Sequence, residues 1–154
     1  MAIDLIDSSG TTLADPSSLT RQAAFLLDRL HLDPGADLSI ALVDLDEMSR
    51  LHEQWMDEPG PTDVLSFPMD DMRPGDPAGP RLAGTLGDVV LCPEVARQQA
   101  EVAGHDVGSE LALLLTHGVL HLLGFDHAEP EEHETMFALQ ADLLRQWQIS
   151  NGAS

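Results

Sequence analysis

GSELALLLTHGVLHLLGFDH, residues 108–127, is apolar on nearly every side when wound at helical spacing. Leu111, Leu114, Leu115, Val119, Leu120 and Leu122 leave no polar stripe, so the spacing predicts a central, buried helix over about 108–123. Gly124 sits where that helix should end, because glycine readily takes the left-handed conformation that turns the chain back. A further helix follows over about 129–149, opened by Glu129, Pro130, Glu131 and Glu132 and carrying Met136, Leu139, Leu143, Leu144 and Trp147. Before the central helix, GTLGDVVLC (84–92) reads as a strand, and Pro93-Glu94 opens a helix that runs to Gly104.

The remaining segments fall into place around these. Ile3 and Leu5 alternate with aspartates in a half-buried strand over about 2–7. Asp15-Pro16-Ser17-Ser18 starts a helix with Leu19, Ala23, Leu26, Leu27 and Leu30 on one face, broken at Pro34-Gly35. DLSIALV (37–43) is a strand whose nearly continuous apolar end suits burial on both faces. Asp44 or Asp46 caps a helix carrying Leu45, Met48, Leu51, His52 and Trp55. TDVLSFPM (62–69) is the next strand, and the proline- and glycine-rich segment 70–80 is a long hairpin-type connection to 84–92. The order β-α-β-α-β-β-α-α-α describes one α+β domain over residues 1–154, a small sheet with about five helices.

Composition sets outer limits. The chain of 154 residues carries 7 arginines, no lysine, and 27 aspartates and glutamates, for a net charge of −20. That balance argues against a basic nucleic-acid-binding surface. The lone Cys92 excludes an internal disulfide and reads as a small buried hydrophobe. The N-terminus lacks the basic and apolar regions of a secretory signal, and no apolar run is long enough to span a membrane. A cytoplasmic, acidic, globular protein is expected.

The chemistry is concentrated in 117–127. His117 and His121 lie four apart on one helical face, and His127 follows three residues after the Gly124 turn. H-x-x-x-H-x-x-G-x-x-H therefore offers three neutral nitrogen donors to one cation and leaves a fourth position for water or substrate. With 7 histidines and 12 glycines in the chain, chance would produce this spacing in roughly one such sequence in a thousand. Zn²⁺ suits three imidazoles best, though Ni²⁺, Co²⁺ and Fe²⁺ accept the same donors. Metzincin proteases share the spacing, but their general base is a glutamate directly after the first histidine. Here that position is Gly118, which cannot take a proton, so protease chemistry is not expected.

Other polar residues are weaker candidates. A water at the open metal position is the expected nucleophile. Asp126 is the local acid–base candidate, with a turn or ligand-orienting role as the alternative. Asp63 and Asp88 read first as caps or loop anchors, and Thr62, Ser66 and Phe67 as residues of either cleft or core. His31, His52 and His105 read as surface or cap residues, and His133 as solvent-facing.

HGVLHLLGFDH resembles the signature of the YbeY-type endoribonucleases, and PTDVLSFP (61–68) and LGDVVLCPE (86–94) resemble that family's two other characteristic strands. The resemblance runs from about 37 to 147. It implies a small mixed sheet of about four strands packed with helices, and one zinc on His117, His121 and His127. It also implies cleavage of single-stranded RNA in 16S rRNA 3′-end maturation and late ribosome quality control, with the small subunit and assembly factors as partners and no DNA. The family commonly carries an arginine six residues before the strand's threonine; counting back from Thr62 gives Met56. Arg50, Arg73 and Arg81 are the arginines that could fill its place in space. A ribosome-assembly binding factor with structural zinc, or a metal-dependent hydrolase of another substrate, are the competing readings. The charge adds an expectation: binding to naked RNA should be weak and salt-sensitive, and tight, salt-resistant binding in a filter assay would contradict it.

Overall fold

The computed structural model describes residues 3–125 and 129–150. Nine elements follow in the expected order: β1 (Ile3–Asp7), α1 (Pro16–Arg29), β2 (Asp37–Leu42), α2 (Leu45–Met56), β3 (Val64–Pro68), β4 (Thr85–Leu91), α3 (Pro93–Ala103), α4 (Val107–Leu122) and α5 (Pro130–Ser150). The strands form one mixed sheet in the order β1-β2-β4-β3. β1 and β4 each run parallel to β2, while β3 pairs antiparallel with β4 along the edge. Parallel neighbours need a crossover, and α1 supplies the one between β1 and β2.

The core lies between the sheet and the helices α1, α4 and α5. Leu38, Ile40 and Leu42 of β2 and Val89 and Leu91 of β4 meet Leu111, Leu115, Val119 and Leu122 of α4 there. Polar groups inside are matched: the buried Gln22 of α1 donates through Nε2 to the Ala112 carbonyl at 2.8 Å and to Thr116 Oγ1 at 3.0 Å, tying α1 to α4. A smaller cluster of Met48, Leu65, Val90 and Cys92 fills the space beneath α2 on the sheet's other face. Burial pushes the Cys92 thiol up, against the pull of the Val95 and Glu94 backbone N–H groups, which suits a packing residue and not a nucleophile.

One expectation is corrected. β2 alternates between buried and open positions instead of being covered on both faces, with Ser39 exposed and Ala41 half-buried. The reason is the position of α2, which lies over β3 and β4 and leaves the β1 side bare. Ile6 is accordingly 70% exposed.

The β3–β4 connection is a long hairpin, and its order comes from anchors to α1 and its C-terminal turn. His31 Nε2 lies 2.8 Å from the Gly79 carbonyl, the Gly75 N–H donates to the Leu30 carbonyl, and Arg81 pairs with Asp28 at 3.1 Å. Among the described residues no helix is long and apolar enough to cross a membrane.

α4 starts at Asp106, whose carboxylate accepts the Ser109 backbone N–H at 2.7 Å. That bond holds Asp106 below the usual carboxylate range. Its contribution to stability is therefore full above the usual range and is lost as pH falls through the lowered value. Asp106→Ala should cost about 1 kcal/mol at neutral pH. Urea melts of both proteins should show that gap narrowing at strongly acidic pH.

Candidate active site

α4 reaches the sheet at its closest where it has no side chain. A Cβ on Gly118 would stand 2.8 Å from Val89 Cγ1, 3.2 Å from Ser66 Oγ and 3.3 Å from Val64 Cγ2. Ser66 Oγ donates to the Gly118 carbonyl at 3.1 Å, fastening β3 to the helix. Here the place of a metzincin's glutamate is turned into the sheet and filled by Val89, so the missing base is built into the packing.

With Gly118 against the strands, the histidines on either side of it face a recess of about 270 Å³. Met56, Asp63, Val64, Leu65 and Ser66 form the rest of its lining. The rings of His117 and His121 are 4.9 Å apart, centroid to centroid, and tilted by 63°. Both are half-buried. His117 Nδ1 meets Oε1 of Gln140, on α5, at 2.8 Å. Two imidazoles one helical turn apart at the mouth of a polar recess fit a divalent transition metal in donor type and spacing. Among the described residues no three His, Cys, Asp or Glu side chains gather into a complete cage. His127, the third donor expected from the sequence, lies outside the described residues, as does Asp126.

The turn beyond His121 is described as far as Phe125. The Phe125 N–H returns to the Leu120 carbonyl and the Gly124 N–H to that of His121, both at 3.1 Å, with Gly124 at φ +90°. This paired closure is the Schellman arrangement, and it reverses the chain just before the third histidine. A side chain at 124 would be strained by that positive φ, and its Cβ, 2.6 Å from the Arg73 guanidinium, would displace the end of that flexible side chain.

The other candidates divide between the two faces of the sheet. Asp63 lines the recess, and its Oδ1 accepts the Val64 N–H at 2.7 Å and the Thr62 hydroxyl at 3.3 Å, the anchoring role expected of it. Asp88 and Phe67 lie instead on the opposite face, in an apolar groove with Leu51 and Trp55. The Trp55 and Phe67 rings meet edge to face at 5.9 Å. His31 and His52 anchor loops through the Gly79 and Gly60 carbonyls. His105 pairs with the buried Glu110 at 2.6 Å. His133 is exposed and stacks on Phe137. Met56 stands in the recess itself. Of the three arginines, Arg73 is the one against the Gly124 turn at the end of α4; Arg50 binds Glu47 and Gln54 on α2, and Arg81 is held at α1.

Gln140 escaped the sequence reading. Its signal was present: it interrupts the buried stripe Met136, Gln140, Leu143, Trp147 on α5. A polar residue on an apolar stripe needs a polar partner inside.

Comparison with known proteins places the chain among relatives of one family. The family model described as endoribonuclease YbeY matches residues 9–148. The chain is 56% identical over 150 residues to the endoribonuclease YbeY of Thermobifida fusca, covering 97% of this chain and 96% of the relative. It is 58% identical to that of Beutenbergia cavernae, with 94% and 95% covered. The solution structure of TM1509 from Thermotoga maritima superposes with a TM-score of 0.67 at 25% identity, covering 99% of this chain and 93% of the other.

The close approach at Gly118 makes a prediction. Alanine favours helix by about 1 kcal/mol over glycine, yet Gly118→Ala should destabilise the protein by a net of about 1–2 kcal/mol because Val89 and Ser66 must move. A thermal melt showing an unchanged or raised midpoint would contradict this.

Proposed function

The chain belongs to the endoribonuclease YbeY family and is an endoribonuclease; from that premise we propose that it cuts single-stranded rRNA at one zinc ion held by His117, His121 and His127. The observation that carries the reading is the pair of half-buried imidazoles, 4.9 Å apart, opening into one recess. A bound divalent cation would polarise a phosphoryl oxygen and make water a stronger nucleophile near neutral pH.

The chain's own residues supply position. The recess wall includes β3, which the Ser66–Gly118 bond fastens to α4 beside the histidines. The recess of about 270 Å³, lined by β3 and the two imidazoles, is where we place a single RNA strand. Asp63 keeps a carboxylate fixed at the recess wall through the Val64 N–H. Asp126, adjacent to His127, is the acid–base candidate. Met56 cannot bind phosphate, whereas the Arg73 guanidinium beside the Gly124 turn can, after exchanging its exposed Asp71 partner at 2.7 Å.

The acidic surface fits a cytoplasmic enzyme that is brought to precursor 16S rRNA by the small ribosomal subunit and assembly factors, and not by long-range attraction to RNA. His121→Ala should lose zinc by more than the 10–100-fold that removal of an outer partner costs, and should lose single-stranded RNA cleavage with it. Full zinc occupancy by elemental analysis of that variant would overturn the site. Unchanged cleavage by a zinc-free variant would overturn the metal's role.

A further inference from the structure

His117 has a hydrogen-bond partner on α5, and that partner is unusual in its setting. Gln140 is 6% exposed, between the buried Met136 and Leu143 turns of α5. The Phe137 ring lies 5.7 Å from that of His117, tilted by 50°. The distance from Gln140 Oε1 to His117 Nδ1 is 2.8 Å.

An amide oxygen accepts hydrogen bonds and never donates, so the ring nitrogen facing it must carry the hydrogen. A neutral imidazole has one N–H and one bare nitrogen. Fixing the hydrogen on Nδ1 leaves the electron pair on Nε2, the nitrogen on the far side of the ring. We propose that Gln140 is a positioning residue for the metal site, whose side-chain oxygen holds His117 in the Nδ1–H tautomer and orients Nε2 toward the cation. The inference rests on the reading of His117 as a metal ligand.

A neutral amide also suits this place better than the carboxylate that often supports a ligand histidine. It supplies the acceptor without adding a buried negative charge to a chain already at −20. The reverse amide orientation would donate to Nδ1, put the hydrogen on Nε2 and block metal binding, so the direction of this one bond decides whether the ring is a ligand.

The test uses Gln140→Leu, which keeps bulk and removes the acceptor, and Gln140→Glu, which keeps the acceptor. Long-range ¹H–¹⁵N correlation spectra of the metal-free protein should show His117 as the Nδ1–H tautomer in the wild type and in Gln140→Glu. Gln140→Leu should shift the ring toward Nε2–H. Zinc affinity, measured by chelator competition, should fall about 10–100-fold in Gln140→Leu and stay near the wild-type value in Gln140→Glu. An Nε2–H ring in the wild type overturns the inference, and that measurement stands even where Gln140→Leu fails to fold. Equal zinc loss in both variants, or none in Gln140→Leu, also overturns it. His117→Ala separates the two levels: zinc retained there sinks the metal site itself, whereas zinc lost there and kept in Gln140→Leu sinks only the role of Gln140.

Discussion

The contact between α4 and the β3–β4 edge is the constraint on which the rest depends. A helix can lie this close to a strand only where it presents no side chain, and Gly118 is that point. The Ser66 hydroxyl takes up the helix carbonyl exposed by the approach. Because His117 and His121 flank the glycine on one helical face, pressing it onto Val89 and Val64 rotates both rings to the strand's edge. The recess is thus a by-product of packing, and a bulkier residue at 118 would displace its wall before it changed any chemistry.

Charge is handled locally throughout the molecule. Arg29, Arg50, Arg73, Arg81, Arg97 and Arg145 each pair with an aspartate or glutamate. Pairs of this exposed kind contribute about 0–1 kcal/mol and exchange readily. A phosphate that arrives by another route can therefore recruit an arginine from its carboxylate at little cost, although the surface as a whole does not attract one. The six described histidines are divided in the same local manner: His31, His52 and His105 serve loops and a helix start, His117 and His121 face the recess, and His133 stacks on Phe137 at the surface.

Most of the architecture was legible because its signals are short-range. Apolar periodicity marked all nine elements, Asp15 and the Asp44/Asp46 pair marked helix starts, and Gly124 marked the turn; the Asp106 cap two residues before the expected start of α4 was not marked. What stayed illegible depended on how elements sit on one another. DLSIALV looks two-sided, yet the position of α2 leaves half of one face open. Asp63 and Asp88 occupy equivalent places in their motifs, but strand register sends one into the recess and the other to the opposite face. Met56 and Gln140 are far from the histidine motif in sequence, and only the packing of α2 and α5 brings them to it.

That His117 is supported from α5, 23 residues further along the chain, bears on how the site is assembled. β3 and both helical histidines precede, in the chain, the helix carrying Met136, Gln140, Leu143 and Trp147. Until it docks, His117 has no amide oxygen beside it and the core next to α4 stays open to water. Docking of α5 is thus the step that gives His117 its amide partner and closes the core beside α4.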